Sequence, residues 1–180
     1  MSISTESLAS YVGPDTCFVE TGTEYGGSTA SALSFGAVIW TCEIDPIKVR
    51  VAHEKMDGLP DAAENLNIVC MDSPSFLREA MPRALKTGRR IVCWLDAHSP
   101  LKCPILLELA EIKASGVKPD VILIDDLRYF RSGHWGISYS QVRAAVEAIG
   151  PYALSEIHGS PLDVYPRDSR RNDILLAEKK

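Results

Sequence analysis

The chain of 180 residues lacks any concentration of basic charge: 24 Asp and Glu outnumber 19 Lys and Arg, for a net charge of −5. Arg89-Arg90 and Arg170-Arg171 are short pairs that read as solvated surface charge. A phosphate backbone is gripped by a basic face, so no nucleic acid partner is expected. No apolar stretch approaches the ~18–20 residues that cross a bilayer. The opening MSISTESLASYVG has no basic segment followed by an apolar run, so no secretory leader is expected. No membrane partner and a cytoplasmic location follow. Cysteine is sparse, with five residues and no CxxC pair, which argues against a structural zinc site. Cys17, Cys42, Cys70 and Cys93 each lie in an apolar run and read as small core residues rather than a disulfide framework. Repeats, low-complexity tracts and linkers are also missing. With 46% apolar residues, the chain reads as one globular domain over residues 1–180.

What is present is alternation. Apolar runs over residues 16–20, 38–42, 67–71, 91–95 and 121–124 read as buried strands. Between them, residues 26–33, 46–56, 73–85 and 104–114 read as helices, with Pro46 at a first helical position. Strands that are nearly all apolar and alternate with helices imply an α/β fold, with a parallel sheet covered on both faces. Residues 128–139 read as a polar, aromatic loop, and a helix near residues 140–149 follows. Residues 153–158 and 173–177 read as two antiparallel strands joined through Pro161 and Pro166.

Each of the first five strands ends in an acid: Glu20, then Glu43 with Asp45 behind it, Asp72, Asp96, and Asp125-Asp126. Ligands of open parallel sheets bind beyond the carboxyl ends of the strands, so these acids converge on one candidate site. The first turn, Glu20-Thr21-Gly22-Thr23-Glu24-Tyr25-Gly26-Gly27-Ser28-Thr29, is glycine-rich but spaced E-x-G-x-x-x-G rather than G-x-G-x-x-G. Glu43, about 20 residues further on, suits a pair of ribose hydroxyls and so points to a nucleoside without naming it.

At this point the sequence resembles the class I S-adenosylmethionine-dependent methyltransferases. The matching stretches are residues 18–29, Thr41-Cys42-Glu43-Ile44-Asp45, Met71-Asp72-Ser73, Trp94-Leu95-Asp96-Ala97-His98 and Leu123-Ile124-Asp125-Asp126. The set looks most like a little-characterised bacterial branch similar to metal-dependent small-molecule O-methyltransferases. The resemblance implies a Rossmann-like, doubly wound, mostly parallel sheet of about seven strands in the order 3-2-1-4-5-7-6. It implies that S-adenosylmethionine lies along Glu20, Gly22, Thr23, Gly26 and Ser28. The ribose would sit on Glu43 beside Ile44, the adenine near Asp72 and Ser73, and Asp96 would close the site.

Asp96, Asp125 and Asp126 end adjacent strands and repel one another unless a cation or protons intervene. Oxygen-only ligation suits Mg²⁺, Mn²⁺ or Ca²⁺. A metal there would lower the pKa of an acceptor hydroxyl, with Asp96 and His98 as catalytic residues and His98 as the base. Ser99 stands where catechol-type enzymes place a lysine base, and Lys102 comes later. Arg128 would pair with the acids or grip an anionic substrate. His134, Trp135 and Tyr129 would cover a small-molecule substrate, unless a second subunit of a homodimer supplies that cover. The expected activity is O-methylation of a small hydroxylated metabolite or sugar. An NAD-type oxidoreductase and a non-catalytic nucleoside-binding module stand as the competing readings.

Overall fold

The apolar runs become strands because β-branched and aromatic side chains fill them and turn residues bound them. The computed structural model describes residues 3–158 and 173–180. In it the runs form β1 (Thr16–Thr21), β2 (Val38–Glu43), β3 (Leu66–Cys70), β4 (Arg90–Leu95) and β5 (Val121–Ile124). β6 (Tyr152–Ile157) and β7 (Ile174–Lys179) complete a seven-stranded sheet in the order β3-β2-β1-β4-β5-β7-β6. The first five strands pair in parallel, and β7 runs antiparallel to both of its neighbours. The fold class and strand order are those anticipated.

Helices cover both faces. One layer holds α1 (Thr5–Ala9), α2 (Gly27–Ser34), α3 (Pro46–Met56) and α4 (Ala62–Asn65). The other holds α5 (Ser73–Lys86), α6 (Ile105–Ala114), α7 (Leu127–Ser132) and α8 (Tyr139–Glu147). Strand alternation divides the core: Phe18 of β1 packs into the first layer, and Cys17 and Val19 into the second. Asp45 and Asp72 cap α3 and α5 by accepting from the backbone N–H groups of Ile47 at 2.8 Å and Ser75 at 3.1 Å. No helix among the described residues is long and apolar enough to cross a membrane.

Several local expectations are corrected. The loop expected over residues 128–139 opens instead as α7, because Leu127 and Phe130 bury one face of a short helix. Two short helices, α1 and α4, were not anticipated. Cys70 is exposed, unlike the buried Cys17, Cys42 and Cys93, because β3 is the edge strand and Cys70 is its last residue. Glu20 is not the last residue of β1: Thr21 follows it within the strand, and Glu20 is fully buried. Pro161, Pro166 and the Arg170-Arg171 pair lie outside the described residues.

Candidate functional site

The strand order reverses at β1, which has β2 on one side and β4 on the other. The carboxyl edge there is where a doubly wound sheet leaves a crevice. The β1–α2 loop is built to line it. Gly22 has φ +82°, and its backbone N–H and that of Thr23 both donate to the Cys42 carbonyl at 3.0 Å. A Cβ on Gly22 would stand 2.8 Å from the Asp96 carbonyl oxygen, so glycine lets this loop press against the end of β4. Gly26, at φ +70°, caps α2.

The acids behave differently from one another. Glu20 accepts hydrogen bonds from Ser28, from Thr29 at 2.5 Å and from Thr41 at 2.7 Å. Burial raises its pKa while the three hydroxyls oppose the rise. Glu20 and Ser28, both expected at the cofactor, are therefore bonded to each other and brace the loop from beneath. Glu43 sits at the rim instead. Its Oε2 accepts from the Glu24 N–H and its Oε1 from the Asp45 N–H, each at 3.0 Å. Those bonds fix the carboxylate and leave each oxygen capacity for one more donor. Ile44 beside it is 70% exposed and Tyr25 is 52% exposed. Exposed apolar side chains next to an anchored carboxylate suit a nucleoside, with ribose on the acid and base on the apolar surface. Asp72 is occupied as the α5 cap, which lowers its pKa, and Ser73 is buried in the first turn.

A second group gathers beyond β4 and β5. The Nε2 of His98 lies 2.8 Å from Asp126 Oδ2 and 3.8 Å from Asp96 Oδ1. The hydrogen bond to Asp126 raises the His98 pKa. Asp96 is raised well above the usual carboxylate range, first by burial and then by repulsion from Asp125 and Asp126. Asp126 holds a left-handed backbone, φ +63°, and receives Arg128 on Oδ1 at 2.5 Å. The same guanidinium bonds Asp173, whose Oδ1 also accepts the Arg128 backbone N–H at 2.8 Å.

The expected metal can be tested on this geometry. Ligand atoms of Asp96, His98 and Asp126 lie within 4.8 Å of one another, as do those of Asp125, Asp126 and Asp173. Asp96, Asp125 and Asp126 do not form one such group, and Asp126 belongs to both groups found. Both of its oxygens already meet nitrogen donors, His98 and Arg128. A divalent ion needs carboxylate lone pairs free of a competing fixed cation. The donor set does not fit one while Arg128 stands there.

Between these elements lies a small, partly open cleft lined by Asp96, His98, Cys103, Glu108, Phe130 and Trp135 among others. Its outer wall is latched: Trp135 Nε1 donates to the Ser99 carbonyl at 3.1 Å, and a ring nitrogen of His134 lies 3.2 Å from the Pro100 carbonyl. The Trp135 ring lies 5.3 Å from His98 and 5.0 Å from Tyr129, so this aromatic group stands beside His98, with Trp135 lining the cleft.

Sequence reasoning missed Glu108 and Asp173. Glu108 is 1% exposed on α6, and neither its Oε1 nor the Thr21 Oγ1 makes a well-formed hydrogen bond. Burial pushes its carboxyl up to about 7, against the opposing pull of the Ser73 and Thr21 hydroxyls and the charge of His98. A signal existed: Glu108 occupies the i+3 place in the apolar stripe Ile105, Leu109, Ile112. A carboxyl pKa raised on folding gives stability that is present below the unfolded value near 4.5 and lost as pH rises through about 7. Glu108→Gln removes this titration. Chemical denaturation from pH 5 to pH 8 should find the variant gaining about 2–3 kcal/mol on the parent across that window. A pH-independent difference would show that Glu108 is not a desolvated acid.

No protein-family model and no curated protein sequence matches the chain. Solved structures do. A Streptococcus mutans protein described as a methyltransferase, in complex with S-adenosylhomocysteine, has a TM-score of 0.63 at 12% identity, covering 98% of this chain and 95% of that one. Magnesium protoporphyrin IX methyltransferase from Synechocystis, with bound S-adenosylmethionine, has a TM-score of 0.61 at 13% identity, covering 98% and 78%. A Clostridium thermocellum protein described as an rRNA methylase has a TM-score of 0.62 at 9% identity, covering 98% and 95%. At these identities the likeness establishes the fold alone, a Rossmann-like fold that these methyltransferases share.

Proposed function

We propose that the chain is an S-adenosylmethionine-dependent methyltransferase that methylates a hydroxyl oxygen of a small molecule. The observation that carries this reading is the placing of two fixed groups along one edge. Glu43 ends β2, the His98–Asp126 pair lies beyond β4 and β5, and β2 and β4 both flank β1. Two strand spacings separate them, roughly 10 Å, a span that suits a nucleoside with a reactive arm reaching from ribose to acceptor. The glycine turn fits the cofactor too, since Gly22 lets the β1–α2 loop lie against the end of β4.

The cofactor supplies an electrophilic methyl group on a sulfonium. The protein must supply alignment and a place for the acceptor's proton. With Nε2 donating to Asp126, His98 keeps Nδ1 to receive the hydroxyl proton, and Asp126 holds the ring in that tautomer. The Asp96 carboxyl faces the same cleft, where positive charge on the cofactor arm would favour its ionised form. Trp135 and Phe130 wall the cleft against water.

A small acceptor fits this edge better than RNA, although some fold neighbours are described as rRNA methylases. The chain's net charge of −5 disfavours a phosphate backbone. Arg89 and Arg90 lie at the opposite edge, where they donate to the carbonyls of Pro14 and Tyr11. Five free cysteines suit a reducing, cytoplasmic setting.

Isothermal titration with S-adenosylmethionine, S-adenosylhomocysteine and NAD tests the cofactor. Micromolar binding of both adenosyl ligands and none of NAD is expected. No adenosyl binding sinks the proposal, and NAD binding in its place points to an oxidoreductase. Tritiated methyl transfer to a panel of sugars and phenols, with ribosomal RNA alongside, then reads the acceptor. Once it is found, His98→Asn should lower turnover by about 10²–10⁴-fold and leave S-adenosylhomocysteine affinity within about twofold.

A further inference from the structure

We infer that Arg128 is the resident cation of this site, standing where a divalent metal would otherwise bind, so that the site works on fixed protein charge. Asp125, Asp126 and Asp173 are buried, with ligand atoms within 4.8 Å of one another. Three buried carboxylates at that spacing need a counter-charge. The Arg128 guanidinium provides it as a fork, with Nη2 on Asp126 Oδ1 at 2.5 Å and Nη1 on Asp173. The fork is held from three directions. Its own backbone N–H donates to Asp173 Oδ1 at 2.8 Å. The Leu127 N–H donates to the Asp173 carbonyl at 2.9 Å. The guanidinium carbon lies 4.6 Å from the centre of the Tyr129 ring. A metal ion bound to these acids would sit about 2.0–2.6 Å from their oxygens, and so would compete with the guanidinium for Asp126 and Asp173.

The left-handed backbone of Asp126 belongs to the same device. It folds the chain back so that a residue two places on can reach the Asp126 carboxylate. Strain of that kind persists where the surroundings over-determine it. Arg128 is thus a positioning residue: it orders Asp126, and Asp126 in turn orders His98. The consequence for catalysis rests on the methyltransferase reading, whereas the claim about the cation does not.

The test is titration with Mn²⁺ followed by electron paramagnetic resonance, on the parent, Arg128→Gln, and Arg128→Gln with Asp126→Asn. The parent should bind Mn²⁺ no tighter than about 1 mM. Arg128→Gln should bind at least about tenfold tighter as the acids are released, and adding Asp126→Asn should abolish the gain. A merely structural arginine would change thermal stability without creating a Mn²⁺ site. Binding by the parent tighter than about 1 mM overturns the inference, as does an unchanged affinity in Arg128→Gln. If that variant does not fold, Arg128→Lys replaces it: one ammonium cannot bridge both acids, so affinity should rise at least threefold, and no rise overturns the inference. S-adenosylhomocysteine is titrated into the same samples. Its failure to bind the parent counts against the methyltransferase reading alone.

Discussion

A Glu43→Ala variant should lose about a hundredfold or more in affinity for S-adenosylhomocysteine while remaining folded. Each hydrogen bond from a ribose hydroxyl to a carboxylate contributes about 1.5–3 kcal/mol, and two are removed. The loss has a second source in this chain. Glu43 also receives the backbone N–H groups of Glu24 and Asp45, so its removal loosens both loops that frame the crevice. Glu43→Gln separates the two contributions. Its amide oxygen can still accept one backbone donor, but it offers ribose no charge and one acceptor fewer, so its affinity should fall between parent and alanine. Calorimetry reads affinity and circular dichroism reads the fold. A Glu43→Ala protein that binds as the parent does would remove Glu43 from the site.

Gly22→Ala should be strongly destabilising. The new Cβ meets the Asp96 carbonyl oxygen at 2.8 Å and the Ala97 backbone at 3.0 Å, on a residue held at φ +82°. The obstacles are backbone atoms on another strand end, so no side chain can swing aside. Strain at a left-handed position together with a steric clash amounts to about 4 kcal/mol or more, which is on the order of 10 °C in midpoint for a chain of this size. Gly133→Ala is the control. It shares the positive φ, at +67°, but a Cβ there has nothing within 4 Å, so it should cost only the conformational part, about 1 kcal/mol. Equal losses in the two variants would mean that the β1–α2 loop does not press on β4.

Some of the active edge was legible along the chain because its determinants are local. An apolar run followed by an acid and a helix-starting residue describes a strand end wherever it occurs, which is how Glu43, Asp96 and Asp125 were found. The same rule ended β1 one residue short, at Glu20, since it cannot distinguish a residue that leaves a strand from one still inside it. It also could not tell Asp72, which caps α5, from an acid free to meet a ligand. Glu108 was readable in principle from the apolar stripe of α6, but no local feature shows what that stripe faces.

By itself, the sequence determined the alternating strands and helices, the acid-rich carboxyl edge and the glycine turn, because period, composition and turn chemistry act over a few residues. Only the tertiary structure decided the charge balance of the site. Arg128 and Asp173 are 45 residues apart, and they meet because β7 returns antiparallel beside β5 and brings the residue just before it to the turn after Asp126. Electrostatic pairing depends on distance through space, and chain separation carries no record of it. For that reason the sequence left open whether Arg128 pairs with the acids, and the fold puts it on Asp126 and Asp173.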